Sequence, residues 1–266
     1  TDHNHLTVLN YESGKRRFRK PLMVPGEEVS ANVMTGTVPV HINGIGISRV
    51  VEPIDAGNIV STIQANVDAI LDAGGIASIN HPNFRWAFDH ESIKQVNGAS
   101  LLEIFNGHPA TNLYGSIGKP SCEQIWDGVL SAGKVIFGVA TDDSHEYWDF
   151  DLVYRANPGR GWVMVRTRQL TKTAIVEALA SGEFYASTGV TISELEMSKD
   201  SIYLEIEQDR QNEYVTTFTG RHGGTLAEES GLQVRYCVRG DEGYIRATVR
   251  SSSGPKAWTQ PLFLEL

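Results

Sequence analysis

The chain has 266 residues, with 23 Lys plus Arg against 32 Asp plus Glu and a formal net charge of −9. That length carries a full barrel, or one larger and one smaller domain around a sizeable core, and it excludes a minimal disulfide-held or metal-held scaffold. The negative balance argues against a nucleic-acid surface, and no apolar run reaches the roughly 18 residues of a membrane span. Cys122 and Cys237 form neither a CxxC pair nor a disulfide framework. The expectation is a soluble chain with no nucleic-acid or membrane partner, its compartment either cytoplasmic or periplasmic and secreted. The basic run "KRRFRK" at 15–20 reads as a solvated loop or strand edge, with an anion contact as the alternative.

From about residue 21 to 190, short apolar runs alternate with helical patterns, which predicts an α/β domain with a parallel sheet wrapped by helices. "PLMVPGEEVS" and "TVPVHINGIGI" read as strands. The stretch 56–75 reads as a helix with Ile59, Ile63, Val67, Ile70 and Leu71 on one face and Gly74-Gly75 at its end. "IASINHP" and "ASLLEIFNGHP" are strands stopped by Pro82 and Pro109. A helix at about 121–133 leads into the strand "KVIFGVA" and then Asp142-Asp143-Ser144-His145. "GWVMVRT" is a further strand, and Thr171 caps the helix "KTAIVEALASG". From 191 to 266 only short alternating runs remain, "SIYLEIEQ", "EYVTTFTG", "LQVRYCVRG", "GYIRATVRS" and "PLFLEL", joined by Gly- and Asp-rich turns. The predicted division is a barrel at 1–190 and a small β-sandwich-like domain at 191–266.

Polar residues collect where the apolar runs end, the place an α/β barrel builds its site. They are Asp2-His3-Asn4-His5, Glu27-Glu28, His41, His81, Glu103-x-x-Asn106-Gly107-His108 and Asp142-Asp143-Ser144-His145. Six of the eight histidines fall in this set; His90 and His222 do not. Residues two apart on a strand share a face, so His3 with His5 and Asp143 with His145 form natural ligand pairs. Imidazole combined with carboxylate suits zinc, iron or manganese. A single histidine or an Asp-Asp-Ser run also serves as a turn or cap. A whole set of such ends points instead to a metal site.

"TDHN", "PGEEVS", "VHINGIG", "NHP" and "GVATDDSH", in that order, resemble the motifs of the polymerase and histidinol phosphatase (PHP) superfamily of metallohydrolases. "LEIFNG", "GRGWVMVRT", "SGEFYASTGV" and "AWTQPLF" are similar to its carbaryl hydrolase branch, the CehA/McbA type. The resemblance implies a distorted seven-stranded (β/α) barrel holding two or three divalent ions. By motif it implies His3 and His145 as imidazoles on a third ion, Glu28 as the carboxylate bridging the first two, His41 and His81 on the second, and Asp143 on the first. Glu27 and Glu28 are neighbours on a strand and face opposite ways, so one of them alone points inward. The family's opening His-x-His strand has no counterpart here, since the sequence begins at its Thr-Asp-His motif. The expectation is a preceding segment in the working protein. The alternative is a reduced site in which Glu28, His41 and His81 hold one ion and His3 and His145 another.

These features lead to an expected metal-dependent phosphoesterase acting on a small-molecule ester through a metal-bound hydroxide. Asp143 would orient the nucleophile or carry its proton. Arg85, Asn106 and His108 would bind the substrate's oxygens. The runner-up is carbamate or aryl-ester hydrolysis at the same centre, with Trp86, Phe88, Tyr147, Trp148 and Phe150 walling an aromatic group. A third reading is a non-catalytic module that binds metal, glycan or a partner protein.

Overall fold

The computed structural model describes residues 1–8, 21–34, 36–151 and 153–264, so the basic run at 15–20 lies outside the described residues. Along the chain it forms β1 (Asp2–His3), β2 (Gly26–Val33), β3 (Val38–Ile45), α1 (Ile59–Asp72), β4 (Ile76–Ile79), α2 (His90–Ile93), β5 (Ala99–Asn106), α3 (Cys122–Ser131), β6 (Phe137–Thr141), β7 (Trp162–Val165), α4 (Lys172–Ala180) and β8 (Phe184–Ser187). Strands dominate the remainder: β9 (Ile192–Met197), β10 (Ser201–Ile206), β11 (Tyr214–Gly220), β12 (Gly224–Ser230), β13 (Gln233–Cys237), β14 (Tyr244–Ser251), β15 (Lys256–Trp258) and β16 (Leu262–Phe263). The fold is mixed α/β. Among the described residues no helix is long and apolar enough to cross a membrane.

Two compact units divide the chain. The first comprises Thr1–Asn80, Gln95–Leu101 and Val165–Glu183; the second comprises His81–Lys94, Leu102–Met164 and Phe184–Leu266.

In the first unit the strands lie in the order β1-β2-β3-β4, followed by the start of β5. The sheet is mixed, not wholly parallel as the alternating pattern suggests. β1 pairs with β2 in parallel, whereas β2–β3 and β3–β4 are antiparallel. For β2 and β3 the reason is local: only a short turn separates them, closed by the Thr37 N–H on Val33 O at 3.1 Å, with Met34 at φ 55 and Gly36 at φ 85. Such a turn reverses direction, while a parallel connection needs a crossover helix.

α1 packs on this sheet through Ile63, Val67 and Ile70, all fully buried, and each contributes about 1.5–3 kcal/mol of apolar burial. Gly44 allows the close approach, because a Cβ there would stand 3.2 Å from Ile70 Cγ1. Leu71, predicted for the buried face, is 40% exposed. Asn66 is buried in the helix and clamps the preceding loop, accepting from Ile54 N–H at 2.9 Å and donating to Ile54 O at 2.8 Å. A periodicity that counts only apolar residues rotates the face away from such a side chain.

In the second unit β6 lies beside β5. α3 begins in a capping box, Ser121 accepting from Gln124 N–H and Gln124 from Ser121 N–H. Gln260 extends β6 as a strand would: its Oε1 accepts from Gly138 N–H at 2.8 Å and its Nε2 donates to Gly138 O at 2.9 Å. The later strands form one sheet in the order β13-β10-β9 and another in the order β12-β11-β14-β15-β8-β7, with β16 on β14. Both contribute to one apolar core that includes Ile202, Leu204, Phe218, Tyr236, Ile245 and Val249. Phe218 of one sheet stacks on Tyr236 of the other at 5.2 Å between ring centres. β8, residues 184–187, joins this sheet through its pairing with β15.

Candidate metal centre

The parallel pairing of β1 with β2 sets His3 opposite Glu28. β2 and β3 then place Ser30 opposite His41, two residues along the same face. The outcome is a cluster on one face of the first unit's sheet. His3 Nδ1 lies 3.3 Å from Glu28 Oε2 and His41 Nδ1 3.1 Å from Glu28 Oε1. One ligand atom from each residue falls within 4.8 Å of the others, the only such group of three among the described residues. Bonds of about 2.1 Å in tetrahedral array hold ligand atoms about 3.4 Å apart. The two nitrogen–oxygen spacings therefore fit a shared divalent ion, and two imidazoles with a carboxylate suit a transition metal.

Glu28 is buried, whereas His3 lies toward solvent. Two residues to which the sequence reading gave no role of their own hold this arrangement. Asn80 Nδ2 donates to Glu28 Oε1 at 3.2 Å. Asn4, at φ 50, ends β1: its Oδ1 accepts from Ser30 N–H at 2.7 Å, its Nδ2 reaches Ser30 O at 3.4 Å, and its backbone N–H donates to Glu28 O at 2.9 Å. The side chain of Asn4 thus continues the pairing where the strand stops. The same turn removes His5 from the strand, so His3 and His5 do not form the expected same-face pair. Ser30 Oγ meets the same His3 Nδ1 at 2.5 Å, a hydrogen bond that an ion on this nitrogen would replace. Glu27 is 0% exposed on the opposite face, its Oε1 accepting from Val51 N–H at 2.8 Å.

In the second unit Glu103 is a buried hub. It accepts from His81 N–H at 2.8 Å, Asn106 Nδ2 at 2.9 Å and Thr141 Oγ1 at 2.8 Å. Asn106 also reaches Asp143 Oδ2 at 3.2 Å, and His81 Nε2 stands 4.0 Å from the same oxygen. His145 Nδ1 lies 2.8 Å from Asp143 O and 3.7 Å from Asp143 Oδ1. The imidazole–carboxylate spacings here, 4.0 and 3.7 Å, are wider than those of the first cluster.

Asp143 and His145 are not on a strand, because β6 ends at Thr141. Asp142 explains the departure. Its carboxylate collects the N–H groups of Gly159, Arg160 and Gly161 at 2.9, 2.6 and 2.9 Å, and Asp143 follows in the left-handed region at φ 47. A non-glycine residue held there stores strain of the kind that clusters at functional sites; His81 at φ 20 is a second case.

Among the residues expected to bind substrate, Asn106 and His108 stay with this group. Asn106 Oδ1 accepts from His108 N–H at 2.8 Å, and the His108 ring meets that of His145 at 5.3 Å. Burial lowers the His108 pKa, and its Nδ1 accepts from Ala110 N–H at 3.1 Å, so the neutral ring keeps its proton on Nε2. Arg85 lies apart from these contacts, exposed on a short turn with its guanidinium 5.5 Å above the Phe84 ring. Tyr147, Trp148 and Phe150 are exposed, and Phe88 is buried.

No family model matches the sequence, and no curated protein matches it. Among solved structures, the chain is similar to a two-domain protein from Bacteroides vulgatus containing a predicted PHP-like metal-dependent phosphoesterase. The identity is 13%, with a TM-score of 0.42, over 91% of this chain and 75% of that one.

Proposed function

We propose that this protein is a metal-dependent hydrolase of phosphate esters. The observation that carries the reading is the His3–Glu28–His41 cluster, whose donor atoms have the spacing of a transition-metal ligand set. The order of the PHP-like motifs along the chain supports it. A divalent ion held there supplies positive charge that polarises a phosphoryl oxygen and acidifies water. His3, Glu28 and His41 hold the ion, and Asn80 and Asn4 orient them. His81, Asp143 and His145 are assigned to further ions of zinc, manganese or iron. Asp143, held through Oδ2 by Asn106, is assigned to orient the attacking water or take its proton. Asn106 and His108 are assigned to the oxygens of the ester.

A second reading, hydrolysis of an aryl ester or carbamate, draws on Tyr147, Trp148 and Phe150, which are exposed just beyond His145. The test is phenyl phosphate against phenyl carbamate hydrolysis, before and after a strong chelator and with manganese or zinc restored. Loss on chelation, recovery with metal and a preference for the phosphate are the expected results. Full activity in metal-free protein would overturn the metal-dependent reading, and preference for the carbamate would replace the first reading with the second.

A further inference from the structure

A cleft in the second unit extends away from Asn106 and His108. One cavity of about 530 Å³ begins at these two residues. Another, of about 420 Å³, opens onto Glu123, Asp127, Arg246 and Lys256. The two share Phe105, Leu113, Tyr114 and Thr188 as walls, so they lie side by side along these residues as neighbouring parts of one grooved surface.

The charges at the far end cancel in pairs. Arg246 Nε and Nη2 each donate to the Asp127 carboxylate at 2.7 Å, and its Nη1 donates to Thr248 at 2.7 Å. With Tyr244 Oη also on Asp127 at 2.8 Å, this pair forms a closed floor. The reachable pair is Lys256 and Glu123, joined at 2.8 Å with side chains 30% and 27% exposed. Burial opposes ionisation of Glu123, but Lys256 and Arg246 outweigh it and hold the carboxyl below its ordinary range. An ammonium carries three hydrogens, one of which serves Glu123 Oε1, and the carboxylate has a second oxygen; the Trp258 indole is a further donor beside this carboxylate, and Lys256 Nζ lies 5.6 Å from that ring's centre. Donor and acceptor therefore stand side by side with no net charge.

That pattern selects its ligand. An anion would meet Glu123 and Asp127 as well as the cations. An apolar group would strip water from Lys256 and Glu123 without replacing its hydrogen bonds. A hydroxyl both donates and accepts, so neighbouring hydroxyls on a ring satisfy the pair. Tyr114, 80% exposed on the rim common to both cavities, offers an aromatic face to the ring's C–H side. We propose that this groove binds a saccharide, so that the substrate is a sugar phosphate with its ester end at Asn106 and His108 and its uncharged hydroxylated end at Lys256 and Glu123. The ester end rests on the phosphoesterase reading; the saccharide end does not.

The test titrates the full chain, with metal chelated, with glucose, galactose, mannose, N-acetylglucosamine, maltose and cellobiose in a calorimeter. At least one should bind, and Lys256→Met and Tyr114→Ala should each weaken it by about tenfold or more. Tyr114 sits on the exposed rim, so its variant keeps the test valid if Lys256→Met unfolds. Absence of saccharide binding, binding untouched by Tyr114→Ala, or binding of glycine in preference to any sugar would each overturn the proposal. With metal restored, the ratio of kcat/KM for the phosphate of the bound sugar over phenyl phosphate should fall in Tyr114→Ala. An unchanged ratio would sever the saccharide subsite from the ester site. Sugar binding without any phosphate hydrolysis would instead count against the phosphoesterase reading alone.

Discussion

Asp127→Asn tests the pairing of α3 with β14. Arg246 is 3% exposed, and its charge is met by Asp127 through two 2.7 Å bonds. Asparagine retains one acceptor oxygen but turns an amide N–H₂ toward Nη2 or Nε, leaving a buried guanidinium with a neutral partner. A lost charge-assisted hydrogen bond contributes about 1.5–3 kcal/mol. With the uncompensated charge added, the total reaches about 3–5 kcal/mol. In a chain of this size that lowers Tm by roughly 10 °C. Because the chain has two compact units, the local readout is hydrogen exchange of the α3 amides at 122–131, measured beside the thermal transition. Replacing both partners, Asp127→Asn with Arg246→Met, should recover most of the loss, since no buried charge then lacks a partner. A single-variant cost under about 1 kcal/mol, or a double variant whose cost is the plain sum of the singles, would refute the account.

Glu28→Gln should lose at least one ion and lower turnover by orders of magnitude, while Glu27→Gln keeps its amide oxygen for Val51 N–H and retains metal; stoichiometry and turnover for both variants decide it, and the opposite outcome would refute the assigned register. Asn4→Ala removes two side-chain bonds to the Ser30 backbone, so metal affinity should fall about 10–100-fold in a competition titration with a chromogenic chelator. Glu123 has its carboxyl held below the ordinary 4.5. Its contribution to stability is therefore present above that value and disappears as pH falls through the folded-state pKa, so Glu123→Gln should shrink the Tm difference between about pH 5 and about pH 3.

Much of this protein is written locally. Thr171 and Ser121 mark the starts of α4 and α3 because a hydroxyl that caps a first turn needs only residues three positions away. The alternating runs that became β10, β11, β13 and β14 carry a period set by backbone pleating alone. The same alternation separates Glu27 from Glu28, and the residues at the apolar ends are of the kinds that a metal site would use. Which groups meet is another matter. β2 and β3 became a hairpin through a turn in a stretch that also fits a parallel sheet, β8 paired with β15 across a long stretch of chain, and β9, β12 and β15 lack a strong alternating pattern of their own. Asn4 and Glu103 stand in the sequence among the polar strand ends and Asn80 only beside one, and nothing local names the partners of any of them. They acquired their roles only when β1 and β2 paired and when His81, Asn106 and Thr141 converged on one carboxylate. Short-range order follows from torsional preference and periodicity within a few residues. Partners distant in sequence are chosen by the whole chain's burial and hydrogen-bond satisfaction, which no local window contains.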